Sequence, residues 1–365
     1  MAPPSQRIAE SPKIGGMKTG VRTRPATLVR PTISSVGSRS GDSSIDDAVT
    51  ADRIPAEMAA SRRTAAELLP ARIAFLGLGL IGGSIASALR AASGQSRLVA
   101  WTPSGRGPAD ALRLGLIDEA APTAEVAIRD AGLVVLAGPP LAVLELLDGL
   151  AGSLGAALGG DAIVTDVAST KEAIVGRAAS NGIRFVGGHP MAGRETSGVG
   201  AAEAELFVGR PWVVVAGSHA SAEDVATVEA LATAAGARPV HLSAAEHDAG
   251  VAAISHLPLV AAAALVEAVA GQAAEGSGWA TGRGLAAGGW ADMTRLARGD
   301  PEMGAGILAT NAGHVALELR AFRTAIDGWI DALEAGSGPD APALAERLEA
   351  TRRLLDTPAT ERADQ

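Results

Sequence analysis

The run RIAFLGLGLIGGS, residues 72–84, joins a short apolar strand pattern to a glycine-rich turn and then to the start of a helical pattern. In that context each glycine has a task. Gly77 permits a tight turn, Gly79 lets the backbone approach a pyrophosphate, and Gly82 lets the helix pack closely on the strand, with Gly83 beside it. The amides around Leu80 and Ile81 would then hold phosphates at the helix N-terminus. With 45 glycines in 365 residues a glycine-rich turn alone proves little. The strand before it and the helix after it make it a dinucleotide fingerprint.

Outward from this run, short apolar strands alternate with helical patterns, the order of a parallel α/β sheet. Strands are expected at 72–78, 97–101, 133–137, 162–167, 183–188, 212–217 and 238–243. From 245 the pattern changes to alanine-rich helical segments near 245–270, 289–298, 303–335 and 342–355. The expected architecture is an α/β Rossmann-type doubly wound sheet over residues 69–243, followed by an all-α domain over 244–356. Residues 1–68, rich in Ser, Arg, Pro and Gly, lack the apolar surface to offset the entropy of ordering. They are expected to form a disordered extension, with Met17 or Met58 as alternative starts, and 357–365 a disordered tail.

Composition narrows the function. Cysteine is absent, which excludes disulfides, thiolate metal sites and a cysteine nucleophile. The net charge is −9, and beyond residue 70 there are 33 acidic against 21 basic residues. A nucleic-acid binder needs the opposite balance to displace counterions from phosphates. The spacing of the six histidines offers no metal-ligand cluster, so no metal is expected. Gly138-Pro139-Pro140 interrupts the apolar segment 131–147, and no unbroken apolar run reaches the roughly 18–20 residues of a membrane span. Small-molecule chemistry in the cytoplasm is the expectation.

The second strand ends Trp101-Thr102-Pro103-Ser104-Gly105-Arg106, without the acidic residue that would bind a free ribose 2′-hydroxyl. Thr102 and Arg106 suit a 2′-phosphate, so NAD or NADP is expected, with a slight lean to NADP; a solvated loop arginine is the plainer reading of Arg106. The next candidate run, Asp166-Val167-Ala168-Ser169-Thr170-Lys171-Glu172, places Ser169 and Glu172 at capping-box spacing while leaving Ser169 at the ligand edge of the sheet. Lys171 is the only lysine after residue 18, a hint of a specific requirement. Then comes GGHPMAGRETSG at 187–198, where His189 stands at a strand end facing the crevice, the side chain best suited to take a proton near neutral pH.

GLGLIGGS, DVASTKEAI, GGHPMAGRETSG, the EHD…SHLP pair at 246–248 and 255–258, and GGWADMTRLARGDPEM at 288–303 together resemble the prephenate/arogenate dehydrogenases of tyrosine biosynthesis, in that family's order over about residues 72–335. The resemblance implies that His189 accepts the proton of the ring hydroxyl while its carbon gives a hydride to the nicotinamide, and that Ser169 hydrogen-bonds that hydroxyl and the histidine. It implies substrate contacts for Arg295 at a carboxylate, with Asp292 one turn before it, for Glu195 near the entrance, and for His247 and His256. Asp292 and Arg295 read equally well as a surface ion pair. Two positions depart from the family: Leu259 stands where a second histidine is usual, and Gly304 where tryptophan is common.

His247 and His256 are nine apart, about 180° around an ideal helix, so at most one of them is expected to face the substrate. Pro258 is expected to kink that helix. The resulting expectation is oxidative decarboxylation of prephenate to 4-hydroxyphenylpyruvate, with arogenate as the alternative substrate. A reductase of another Rossmann class would use a lysine on a later helix, and none follows Lys171; a non-catalytic nucleotide sensor would need only the glycine turn. The apolar segments 245–270 and 303–335 imply a homodimer.

Overall fold

A computed structural model describes residues 56–356 apart from 195, 272–277 and 337. In chain order the elements are α1 Ala56–Glu67, β1 Arg72–Leu76, α2 Leu80–Ala91, β2 Arg97–Trp101, α3 Arg106–Arg113, β3 Glu119–Ala120, α4 Ala124–Ile128, β4 Leu133–Leu136, α5 Pro140–Ala151, β5 Ile163–Asp166, α6 Glu172–Ser180, β6 Phe185–Pro190, β7 Pro211–Ala216, α7 Ala222–Ala234 and β8 Arg238–His241. The helical part follows: α8 Ala244–Val251, a π turn Ala252–His256, α9 Leu257–Ala270, α10 Gly278–Gly282, α11 Gly288–Thr294, a 3₁₀ turn Arg295–Arg298, α12 Pro301–Thr310, α13 Ala312–Leu333 and α14 Ala341–Asp356.

The sheet runs β3-β2-β1-β4-β5-β6-β7-β8. Strand order reverses between β1 and β4, which opens the crevice where such sheets bind ligands. Alternation along β1 explains the two-sided core: Ile73 and Phe75 join the layer containing α2 residues Ile85 and Leu89, whereas Ala74 and Leu76 join the layer containing α5 residues Val143 and Leu147. Each such buried Leu, Ile or Val contributes about 1.5–3 kcal/mol. Leu76 pairs with Trp101 and Leu136, and Leu136 with Asp166. The strand ends carrying the candidate motifs are therefore neighbours.

Two expectations need correction. The sheet is not parallel throughout, because β7 runs antiparallel to β6. Among the described residues of the connection 191–210 there is no long helix, and without a helical crossover the chain returns in the opposite direction. The extension expected to be disordered as far as residue 68 is helical from Ala56 to Glu67. Ala65 and Ala66 enter the core, and Arg62, 3% exposed, donates to Ala234 O at 3.1 Å and Ala88 O at 3.3 Å. The guanidinium thereby satisfies carbonyls at the C-terminal turns of α7 and α2, a contact that composition cannot reveal. The expectations for 1–55 and 357–365 fall outside the described residues.

Among the described residues, Ala244–Ala270 is one continuous helical stretch that is long and apolar enough, by length and composition, to cross a membrane. An expectation based on unbroken apolar runs passes over it because His247, Asp248 and His256 interrupt the run. These three side chains are buried against the protein's own groups, while only 22% of the most apolar window is covered within the chain.

Candidate functional site

The glycine turn meets the geometric demands of a nucleotide cradle. Gly77 adopts φ +101°, and a Cβ there would sit 2.4 Å from Ala137 O. At Gly79, the N-cap of α2, a Cβ would meet nothing within 4 Å, and no side chain caps the helix. The first-turn amides, Leu80 and Ile81 included, are thus open to an anion. A Cβ on Gly82 would lie 3.2 Å from Ala137 Cβ, and one on Gly83 would lie 2.8 Å from Val199 Cγ2. Gly82 lets α2 pack closely as its place in the motif implied, and Gly83 adds a close approach to Val199 that the sequence reading did not anticipate. The site fits a dinucleotide.

The turn after β2 is held against this cradle, since a Cβ on Gly107 would strike Leu78 O at 2.5 Å. Thr102 Oγ1 accepts from Gly105 N at 3.1 Å, so this hydroxyl partly serves its own turn. Arg106, exposed, opens α3 beside the cradle.

Across the crevice lies a buried charge cluster. Lys171 and Asp166 are both 0% exposed and meet at 2.5 Å. Lys171 Nζ also donates to Ala168 O at 2.8 Å and Thr170 O at 2.9 Å, the carbonyls on either side of Ser169. Three acceptors around one nitrogen suit an ammonium. Asp166 in turn accepts from Ala168 N at 3.0 Å and from Gly188 N at 3.1 Å, next to His189. Burial pushes Asp166 up and Lys171 down, and their mutual attraction opposes both shifts. Sequence reasoning singled out Lys171 by its rarity but gave it no role, and it passed over Asp166.

The capping box expected from Ser169 and Glu172 does not form. Asp248, from α8, takes its place, accepting from Lys171 N at 2.7 Å and Glu172 N at 2.9 Å. Glu172 instead pairs with His314 at 3.0 Å. Asp248 Oδ1 also accepts from His247 Nδ1 at 2.7 Å, and His247 Nε2 lies 2.8 Å from His189 Nδ1. Both nitrogens of His247 are thus engaged within the protein, leaving none for a substrate. Burial would raise Asp248, but hydrogen bonds from His247 and the Glu172 and Lys171 amides hold it below the usual carboxylate range.

His189 is half-buried near the end of β6. Burial first, then the Lys171 cation and the neighbouring His247 and His256, hold its imidazole well below the ordinary histidine range. It is neutral at pH 7, and Nε2 is the nitrogen left for a ligand. Ser169 is half-buried in the adjacent β5–α6 loop and makes no hydrogen bond to His189.

The two helix histidines are not divided as their spacing implied. The π turn Ala252–His256, placed just before Pro258, changes the angular phase between them. Each is 1% exposed, and both join one cluster. Asn311 Nδ2 donates to Asp248 O at 2.8 Å and lies 3.1 Å from His256 Nδ1. Burial above all drives His256 down to about 4. Asn311 carries no motif signal in the sequence. Asp292 and Arg295, on α11 and the 3₁₀ turn, are exposed, outside this buried cluster. Glu195 lies outside the described residues.

Comparison with known proteins gives two family-model matches: prephenate dehydrogenase, nucleotide-binding domain, over residues 85–241, and prephenate dehydrogenase, dimerization domain, over 243–350. A prephenate dehydrogenase of Bacillus subtilis is 35% identical over 66% of this chain, which spans 64% of that protein's length. The crystal structure of Synechocystis arogenate dehydrogenase is 32% identical, with a TM-score of 0.65 over 78% of this chain and 99% of the other. That of prephenate dehydrogenase from A. aeolicus in complex with hydroxyphenyl propionate and NAD+ is 25% identical, with a TM-score of 0.70 over 78% and 98%.

Proposed function

The chain belongs to the prephenate dehydrogenase family, and on that premise we propose that it converts prephenate to 4-hydroxyphenylpyruvate and CO₂ in tyrosine biosynthesis, in the cytoplasm. The observation that carries this reading is the place of His189: an imidazole at the ligand edge of a nucleotide-binding sheet, engaged at Nδ1 by His247 and with Nε2 left for a proton. A bound nicotinamide supplies the hydride acceptor. The protein's part is to hold the ring and move one proton.

His189 Nε2 takes the proton of the ring hydroxyl as its carbon loses hydride, leaving a ring ketone. The carboxylate on the quaternary carbon then departs as CO₂. Its bonding electrons aromatise the ring, and the resulting phenolate is protonated. Lys171 keeps the Ser169 loop in place beside this chemistry through Ala168 O and Thr170 O. Arg295 supplies a cation for a substrate carboxylate, the role implied by the family's motif. Arogenate shares the reacting ring and differs only in its side chain, and the likeness to an arogenate dehydrogenase structure makes it the second reading. Assays of prephenate and arogenate side by side test the choice: prephenate turnover supports the proposal, and turnover of arogenate alone transfers the assignment.

The cofactor reading favours NADP at least equally with NAD, supported by Arg106 beside the cradle and the lack of an acidic residue after β2. Arg106→Ala is expected to raise the KM for NADP about tenfold or more while changing that for NAD little. An equal change for both would assign Arg106 to solvent or packing.

The assembly reading is a homodimer formed through the helical part. Ile254, Leu285 and Leu317 are 70%, 77% and 60% exposed, and Phe322, Ile326 and Ile330 continue an open face on α13. Apolar surface on this scale calls for a partner, and the matched dimerization-domain model supports a second copy of the chain. Light scattering at micromolar concentration is expected to give twice the chain mass; the mass of one chain would contradict it.

A further inference from the structure

The base stands on the sheet domain, yet the groups that orient it come from the helical domain. Resting on His189 as the base, we propose that Asp248 is a positioning residue: through His247 it fixes the His189 tautomer that leaves Nε2 free to take a proton, and it does so only while α8 is docked on the β5–α6 loop.

The direction of the hydrogen bonds carries the inference. Asp248 Oδ1 accepts from Lys171 N and Oδ2 from Glu172 N, at 2.7 and 2.9 Å. Two amide donors, one on each oxygen, favour the ionised carboxylate, which can only accept. His247 Nδ1, 2.7 Å from Oδ1, must therefore carry the hydrogen. With that single hydrogen on His247, its Nε2 offers a lone pair and His189 Nδ1, 2.8 Å away, donates to it. His189 Nε2 is left unprotonated, as a base requires. This is the logic by which a carboxylate orients a catalytic histidine elsewhere, extended by one imidazole. The inverted chain, with His189 Nε2 protonated, would need either Asp248 to donate or His247 to carry a hydrogen on both nitrogens.

The carboxylate is not held by α8 alone. Its two amide partners open α6, and the Lys171 side chain clamps the loop just before them. Asn311, where α12 meets α13, donates to Asp248 O at 2.8 Å, and Thr310 meets Thr170 at 2.8 Å. The junction between the two domains and the alignment of the base are thus built from the same residues. Among the described residues, the charged and titratable groups around His189 are Lys171, Asp166, His247, Asp248 and His256.

The test uses full-length enzyme. Asp248→Asn is expected to lower kcat on prephenate by about 10²-fold or more, with KM for prephenate and cofactor changed only a few-fold. Histidine ¹⁵N spectra of the cofactor-free protein are expected to show His189 protonated at Nδ1 and bare at Nε2 in the wild type, and a mixed or inverted tautomer in the variant. Because the carboxamide of the Asp248→Asn variant cannot satisfy both α6 amides, His247→Phe provides a second arm that leaves those contacts in place. It is expected to lose kcat to a similar degree, and the double variant to be no worse than either single one. Wild-type kcat in His247→Phe, or His189 Nε2 protonated in the wild-type spectrum, would overturn the proposal. Failure of the wild type to turn over prephenate or arogenate would overturn the functional reading instead, while the tautomer measurement would still decide the relay.

Discussion

Lys171→Met is expected to cost about 3–5 kcal/mol of folding stability, the loss seen when one partner is removed from a buried ion pair. Natural domains have only about 5–15 kcal/mol in total, so the variant should lose a large share of its stability at neutral pH. The pair is 0% exposed on both sides, so solvent screening cannot soften the effect. Methionine fills much of the space but leaves the Asp166 carboxylate with the Gly188 and Ala168 amides alone. The Ser169 loop loses both of its carbonyl anchors at the same time.

The deficit should also depend on pH in a defined direction. Without the cation, burial raises Asp166 further above its unfolded value, so the folded state binds more protons than the unfolded one. Stability of the variant should therefore rise as pH falls toward the acid range, and be lost as pH rises through the raised Asp166 pKa. Urea unfolding at several pH values measures both effects. A loss below about 1 kcal/mol at neutral pH, the value of an exposed pair, would mean that Lys171 and Asp166 do not form the ion pair described.

Much of this arrangement was legible in the sequence. The run 72–84 announces its strand, its turn and the opening of its helix, because each glycine answers a steric demand that the structure displays: the Ala137 carbonyl against Gly77, the Ala137 side chain against Gly82 and open space at Gly79. His189 is readable because strand order brings β6 to the crevice. Local pattern fails where a distant residue supplies the partner. Ser169 and Glu172 have capping-box spacing, but Asp248, 76 residues beyond Glu172, reaches the amides instead. Asp248 stood in a quoted motif, and nothing local distinguishes it from a solvated acid. His247 and His256 look opposed only on an ideal helix, and the π turn between them alters the phase. The direction of β7 and the docking of α1 through Arg62 are tertiary outcomes without a periodic signal.

His189→Asn is expected to lower turnover by about 10²–10⁴-fold, the range for loss of a general base. That corresponds to about 3–5.5 kcal/mol in the barrier. Asparagine is close in size and can still bond to His247 Nε2, so the KM values for prephenate and cofactor should change only a few-fold. It has no basic nitrogen, so the ring hydroxyl keeps its proton as hydride transfer begins. Because burial, Lys171 and the flanking histidines keep His189 neutral, the wild-type enzyme has its base ready throughout the neutral range. Turnover within tenfold of wild type would assign the proton to another acceptor.

The proposed reaction couples hydride transfer from prephenate to loss of its ring carboxylate. Wild-type enzyme incubated with prephenate and NAD+ or NADP+, with reduced cofactor and CO₂ quantified in the same samples, puts that coupling to the test. Equal molar amounts of both products are expected with at least one cofactor. Cofactor reduction without CO₂, or no reduction with either cofactor, would contradict it.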